Sequence, residues 1–163
     1  MSLDEFRSLI EKHFTFLFGP FGGRISHSRV RNASYEDYSV GIDAPGFRVI
    51  FQKEEGGFPV FVGPPDAPFD NQEDWLSKGN WVNIHGLLRY LTGKKTDWTE
   101  LETMPFEERV TKVYSVTAET LAPLCPRIAE MFSSPQALSL WKPGYDSYVR
   151  ERLNDELRGR GPQ

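Results

Sequence analysis

The chain of 163 residues contains a single cysteine and no long apolar run. One cysteine cannot form an internal disulfide, so the sequence does not require an oxidising compartment. No apolar stretch approaches the roughly 20 residues that a membrane-spanning helix needs. The N-terminus also lacks the basic region and apolar block of a secretion signal. We therefore expect a cytoplasmic protein with no membrane attachment.

Positive charge is in deficit as well. The chain has 19 lysine and arginine residues against 23 aspartate and glutamate residues, a formal net charge of −4. A chain with net negative charge is poorly suited to bind the phosphates of nucleic acids or of anionic membranes. We therefore expect a protein partner or a small molecule and no nucleic acid, and the sequence leaves the oligomeric state open.

Residues that carry chemistry are few and scattered. His13, His27 and His85 are far apart and show no spacing typical of metal ligands. Cys125 has apolar neighbours, which predicts a buried, inert thiol rather than a nucleophile. The glycines of residues 19–23 lack the lysine and hydroxyl residue of a phosphate-binding loop. We expect no metal, no cofactor and no catalytic residue, which favours a non-enzymatic protein.

What the sequence does contain is a strong alternation of apolar and polar residues. It predicts a four-stranded antiparallel meander over residues 25–63. Pairing Ile42 with Val49, and Val49 with Val62, keeps apolar side chains together on one face. Pro45 and Gly46 predict a tight turn between the second and third strands. Placing Val30 beside Tyr38 sets Arg31 beside Asp37. Pro59 cannot donate to a ladder of hydrogen bonds, so the last strand is expected at an edge of the sheet. The apolar face would collect Val30, Tyr38, Val40, Ile42, Val49, Phe51, Val60 and Val62.

Helical spacing flanks this meander on both sides. Ser2 and Glu5 have the spacing of a capping box, which predicts a helix at the N-terminus. Several further helices follow residue 80, with a turn expected at residues 141–144. Trp81 begins the first of these helices in the prediction, and we expect it to anchor that helix on the apolar face. The fold class is therefore α+β. Residues 1–158 should form a single domain, with residues 159–163 as a disordered tail.

The opposite, polar face of the meander is the candidate partner-binding site. A solvated face with weak surface ion pairs explains the pattern as well as a recognition surface does. Arginine and aromatic side chains are nevertheless enriched where interfaces concentrate their binding energy. The polar face should remain uncovered by the helices. The candidate residues are Arg29, Arg31, Asp37, Asp43, Arg48 and Phe61.

A second hypothesis comes from a different class of function. Residues 63–80 are rich in proline, glycine and aspartate and read as a long surface segment with one helical turn at residues 73–77. An enzyme or small-molecule binder would use a pocket between this segment and the sheet. The possible lining residues are Tyr35, Tyr38, Trp75 and Trp81.

The order of elements over residues 1–95 also carries a resemblance. A helix, a four-stranded meander and then the aromatic and apolar pattern from Trp81 to Leu91 follow one another, with Phe14, Phe16 and Tyr90 as further aromatic positions. This layout resembles small uncharacterised bacterial α+β proteins, some of which look like immunity proteins that neutralise toxins. The resemblance implies a bacterial inhibitor or immunity-type protein. It rests on layout and assigns no role to any residue.

Overall fold

The structure, a computed structural model, describes residues 1–69 and 80–159. Two helices, α1 (Leu3–His13) and α2 (Thr15–Phe18), precede four strands, β1 (Arg24–Asn32), β2 (Asp37–Ala44), β3 (Phe47–Lys53) and β4 (Val60–Gly63). A short strand β5 (Val82–Asn83) leads into α3 (Ile84–Thr92), α4 (Phe106–Leu121), α5 (Cys125–Phe132) and α6 (Pro135–Gly159). Single 3₁₀ turns occupy Thr99–Thr103 and Ala122–Leu124.

The predicted α+β class is confirmed, with five strands in place of four. Helix α6 continues to Gly159, one residue past the predicted end of the domain. The other residues of the predicted tail, and the predicted helical turn at residues 73–77, lie outside the described residues. None of the described helices is both long and apolar enough to cross a membrane.

The five strands form one antiparallel sheet in chain order. Ile42 pairs with Val49, and Val49 pairs with Val62, as the alternation predicted. The turn between β2 and β3 consists of Pro45 and Gly46, and Gly46 has a φ of 89°. Proline at the first central position and a positive φ at the second are typical of a type II turn. Side-chain period and turn chemistry therefore set the register of the central strands.

Two details of the predicted sheet are wrong. The last predicted strand was placed at an edge of the sheet because of Pro59, but Pro59 lies immediately before β4. The N–H that proline lacks is therefore not needed for the ladder. The Pro59 carbonyl accepts from the backbone N–H of Gln52 at 2.9 Å. Strand β4 can therefore be internal, because β5 pairs with its other side. Strand β1 shifts register between Val30 and Asn32, which places Asn32 and not Arg31 opposite Asp37. A bulge of this kind cannot be read from a period of two.

The main core lies between the apolar face of the sheet and the helices. Phe14, the C-cap residue of α1, makes edge-to-face contacts with Phe51 on β3 and Tyr114 on α4, with ring centroids 4.8 and 5.5 Å apart. All three side chains are fully buried. Apolar residues of α3, α5 and α6 belong to the same cluster. The C-terminal helices therefore pack on the face that α1 also covers. The predicted capping box of Ser2 and Glu5 is present at the start of α1.

The predicted position of Trp81 is wrong. Helix α3 begins at Ile84, and its N-cap is Asn83, whose side chain accepts from the backbone N–H groups of His85 and Gly86. Trp81 precedes β5, and its indole lies against Gly63 on the opposite face of the sheet. An asparagine cap is a stronger start signal than apolar spacing, because it satisfies free N–H groups of the first turn.

The turn expected at residues 141–144 is also wrong, because α6 runs through it with Pro143 inside the helix. Proline normally interrupts a helix because it lacks an N–H and crowds the preceding turn. Contacts on both sides of Pro143 hold the helix here. The Trp141 indole N–H donates to the Met131 carbonyl at 2.8 Å, and the buried Tyr145 packs edge-to-face on Tyr90. Tertiary packing overrides the local preference of the proline.

Candidate functional site

The second face of the sheet carries a small apolar cluster of its own. Ile50, Ala67 and Trp81 are buried together, and Phe61 and Phe69 pack against them. None of these residues belongs to a helix. The face is therefore covered in part by the segment that follows β4 and by Trp81. No helix of the described residues contributes to this cluster, as predicted, but the cluster covers the centre of a face that was predicted to be open.

Phe69 is at the centre of the group of residues that covers this face of the sheet. Its ring stacks on the imidazole of His27 with centroids 5.2 Å apart, and it lies 5.9 Å from the ring of Trp81. A Cβ atom added to Gly41 would lie 2.5 Å from the Phe69 ring, so only glycine permits this close approach. The sequence offered no signal for the contact, because the Phe69 ring lies against the backbone of a glycine 28 positions earlier in the chain.

Arg48 is held by three interactions on this face. Its Nε donates to Oδ1 of Asp43 at 2.6 Å, and its Nη1 donates to the carbonyl of Ala67 at 2.6 Å. Its guanidinium also lies 4.5 Å from the centroid of Phe69. The ion pair of Asp43 and Arg48 agrees with the predicted register. Arg48 therefore supports the cover over the sheet, and its replacement would disturb the fold as well as any binding site.

The structure divides the six predicted site residues into separate groups. Asp43, Arg48 and Phe61 belong to the covered centre of the face. Arg29 and Arg31 lie on β1, where Arg29 is exposed and a guanidinium nitrogen of Arg31 lies 3.7 Å from a carboxylate oxygen of Glu54. Asp37 begins β2 at the end of the sheet that is opposite Asp43. The six residues are thus spread over the covered centre, the β1 edge and the far end of the face.

Strand β1 is the exposed edge of the sheet. It has nine residues and pairs with β2 on one side, and no other described strand pairs with it. The other edge, β5, has only two residues. Val30 is 47% exposed, which is unusual for a β-branched residue in a strand, and Tyr35 in the following turn is also exposed. An edge strand presents unpaired backbone groups to a possible partner.

The pocket proposed as the alternative site is not lined as expected. A cavity of about 570 Å³ does lie beside Pro64, Asp66 and Asn80, but its other walls come from α5 and α6, including Lys142 and Asp146. The predicted lining residues Tyr35, Tyr38 and Trp81 are not among the residues around it. Tyr38 is buried in the main core, and Trp75 lies outside the described residues.

The burial predicted for Cys125 is confirmed. Burial raises the pKa of its thiol to about 12. Its position at the start of α5 would by itself favour a thiolate, so desolvation dominates. Over residues 1–69 and 80–159, no group of three or more histidine, cysteine, aspartate or glutamate residues is placed to hold a metal ion.

Comparison of the chain with protein-family models, with curated proteins and with solved structures finds no match. The features of this chain that bear on its function are the exposed β1 edge, its arginines and the cavities beside the helices.

Proposed function

We propose that this protein is a protein-binding module that receives an extended, acidic segment of its partner along β1. The observation that carries the proposal is the combination of a long exposed edge strand with an unusual charge pattern. Arg24, Arg29 and Arg31 lie on β1, and the strand contains no carboxylate. In a chain with a net charge of −4 this strand is a local positive feature.

The backbone supplies the affinity in this mode of recognition. A partner strand added to a sheet edge forms main-chain hydrogen bonds, while alternate side chains supply the specificity. The register with β2 places Val30 and Ser28 beside Tyr38 and Val40 of the apolar face, and Arg29 beside Ser39 of the polar face. An incoming strand that alternates apolar and acidic residues would match both faces of β1.

The charge of β1 also favours a strand from another protein over a second copy of this chain as its binding partner. Antiparallel pairing of β1 with another β1 places two strands that each carry three arginines side by side, and like charges that fall opposite each other on paired strands are destabilising. Charged residues and bulges are common means of preventing self-association at sheet edges, and β1 has both. An acidic partner strand gains from the same arginines that disfavour a homodimer.

The narrower form of this proposal is an inhibitor or immunity-type protein, which the layout of residues 1–95 resembles. Its partner would then be a toxin that presents an acidic segment to β1. The general proposal, protein binding through the edge strand, does not depend on this narrower role.

Selection from a displayed library of random peptides of about ten residues, the length of a long strand, tests the proposal. We expect the selected sequences to alternate apolar and acidic residues. Binding to the full chain should weaken at least about tenfold, or 1.4 kcal/mol, in the double variant Arg24→Glu with Arg29→Glu. Both arginines are exposed, so thermal stability should change little.

The matched control is the double variant Arg127→Glu with Arg150→Glu, which makes the same charge change at exposed positions on α5 and α6. This variant should bind the selected peptides like the wild type. The proposal fails if the selected peptides show no acidic preference, or if the control variant loses as much affinity as the double variant on β1.

A further inference from the structure

A second cavity lies on the helical side of the molecule and is independent of β1. It has a volume of about 620 Å³, within the range of about 300–1,000 Å³ that is usual for small-molecule sites. It runs along α3 and is closed by residues 94–98, by α4 and by the C-terminal part of α6. Strand β1 does not contribute to it, and the sheet contributes only Asn83 of β5.

Positive charge converges on this cavity. Arg89, Lys94, Lys95 and Arg152 are among its lining residues, and Glu156 is the one carboxylate among them. Arg152 and Glu156 lie 3.9 Å apart and largely balance each other. Arg89, Lys94 and Lys95 then leave an excess of three positive charges, in a protein whose total charge is negative.

An aromatic pair forms another part of the wall. The rings of His85 and Trp98 are in edge-to-face contact, with centroids 5.7 Å apart, and both residues line the cavity. Burial lowers the pKa of His85, so its imidazole is neutral near neutral pH. The positive field of the cavity therefore comes from the arginines and lysines, and the two rings provide a flat apolar surface.

A buried hydroxyl is the observation that points to a ligand. Thr117 on α4 lines the cavity and is only 2% exposed, and its Oγ1 has no hydrogen-bond partner among residues 1–69 and 80–159. A buried polar group without a partner is costly, and such groups are rare in native structures. Lys94 and Lys95 follow the C-terminal end of α3, where positive charge is favourable in any case. The position of the two lysines at a helix end does not explain why the Thr117 hydroxyl lacks a hydrogen-bond partner in the described residues.

We propose that this cavity binds a small heteroaromatic compound that carries a phosphate group. The excess of three positive charges fits a phosphate dianion better than a single carboxylate. The ring of the ligand packs against Trp98, and the ligand supplies the missing partner of the Thr117 hydroxyl. Arg89 and the two lysines hold the phosphate at the open side of the cavity.

Three matched probes test this assignment by NMR titration of the ¹⁵N-labelled full chain. Adenosine monophosphate carries both the ring and the phosphate, adenosine carries the ring alone, and inorganic phosphate carries the charge alone. We expect saturable shifts at Gly86, Trp98 and Thr117 with the monophosphate. Adenosine and phosphate should each bind at least about tenfold more weakly.

Two variants and one control variant separate a binding role from a structural one. Lys94→Gln with Lys95→Gln should weaken binding of the monophosphate at least about tenfold, while Lys12→Gln on the exposed side of α1 should leave it unchanged. Thr117→Val should weaken binding without lowering the melting temperature, because the hydroxyl it removes has no partner in the described chain. Absence of saturable shifts with the monophosphate, equal binding of adenosine, or undiminished binding by the lysine variant would overturn the proposal.

Discussion

Trp81→Ala is the substitution that most sharply tests the placement of the second apolar cluster. The indole is 3% exposed, lies against Gly63 and Ala67, and donates its N–H to the carbonyl of Pro68 at 3.1 Å. Truncation of a buried tryptophan costs about 3–5 kcal/mol, and the cost is lower where the surroundings can collapse into the space. This cluster is small and belongs to one face of the sheet, so we expect about 3 kcal/mol.

Equilibrium urea denaturation, followed by circular dichroism, measures this loss of stability. Combined with second substitutions, it also shows which residues the side chain of Trp81 contacts. In a double-mutant cycle, residues in contact show coupling energies of about 0.5–3 kcal/mol, whereas distant residues add within about 0.5 kcal/mol. Trp81→Ala should therefore couple to Phe69→Leu and should be additive with Ile10→Val, since Ile10 is buried in the main core. A loss below about 0.5 kcal/mol, the size of an ordinary surface change, would refute this placement, as would stronger coupling to Ile10 than to Phe69.

Three further predictions concern single groups. Cys125 should react slowly with a thiol reagent until denaturant is added, because burial suppresses its thiolate, and rapid labelling of the folded chain would contradict this. Tyr114→Phe should leave the urea midpoint unchanged or raise it, since its fully buried hydroxyl has no partner in the described residues, and a loss above about 1 kcal/mol would show that the hydroxyl is bonded. Burial lowers the pKa of both His13 and His85, so the unfolded chain binds more protons as the pH falls through the ordinary histidine value. The free energy of unfolding should therefore fall with acidification in this window, and the double variant His13→Gln with His85→Gln should show a flatter dependence.

Much of the sheet could be predicted because the sequence signals that determine it are local. The alternation of apolar and polar residues set the pairing of Ile42 with Val49, and the Pro45-Gly46 pair set the turn between them. The capping box at Ser2 marked the start of α1 in the same way. Each signal lies within a few residues of the structure that it determines.

The errors arose where distant contacts decide the outcome. Trp81 has helical spacing with the residues after it, but the capping ability of Asn83 and the space above Gly63 place it on the other face of the sheet. Pro143 continues a helix because the neighbouring Trp141 and Tyr145 are packed. No property of these residues in isolation reveals those contacts.

The candidate site was predictable only in part for the same reason. The sequence indicated an arginine-rich polar face, and Arg29 and Arg31 are on it or at its edge. It gave no sign that Phe69 covers the centre of that face or that Arg48 is held beneath it. The edge position of β1 follows from the predicted meander itself, whereas the pairing of β5 with β4, which makes β4 internal, does not.

Hydrogen–deuterium exchange of the full chain, with and without a selected acidic peptide, tests the proposed use of β1 most directly. Backbone amides at a free edge exchange with solvent, and a partner strand protects those that it binds. We predict that the peptide slows exchange along Arg24–Asn32, with little change in the helices. Protection confined to another part of the molecule, with β1 exchanging as before, would contradict the account.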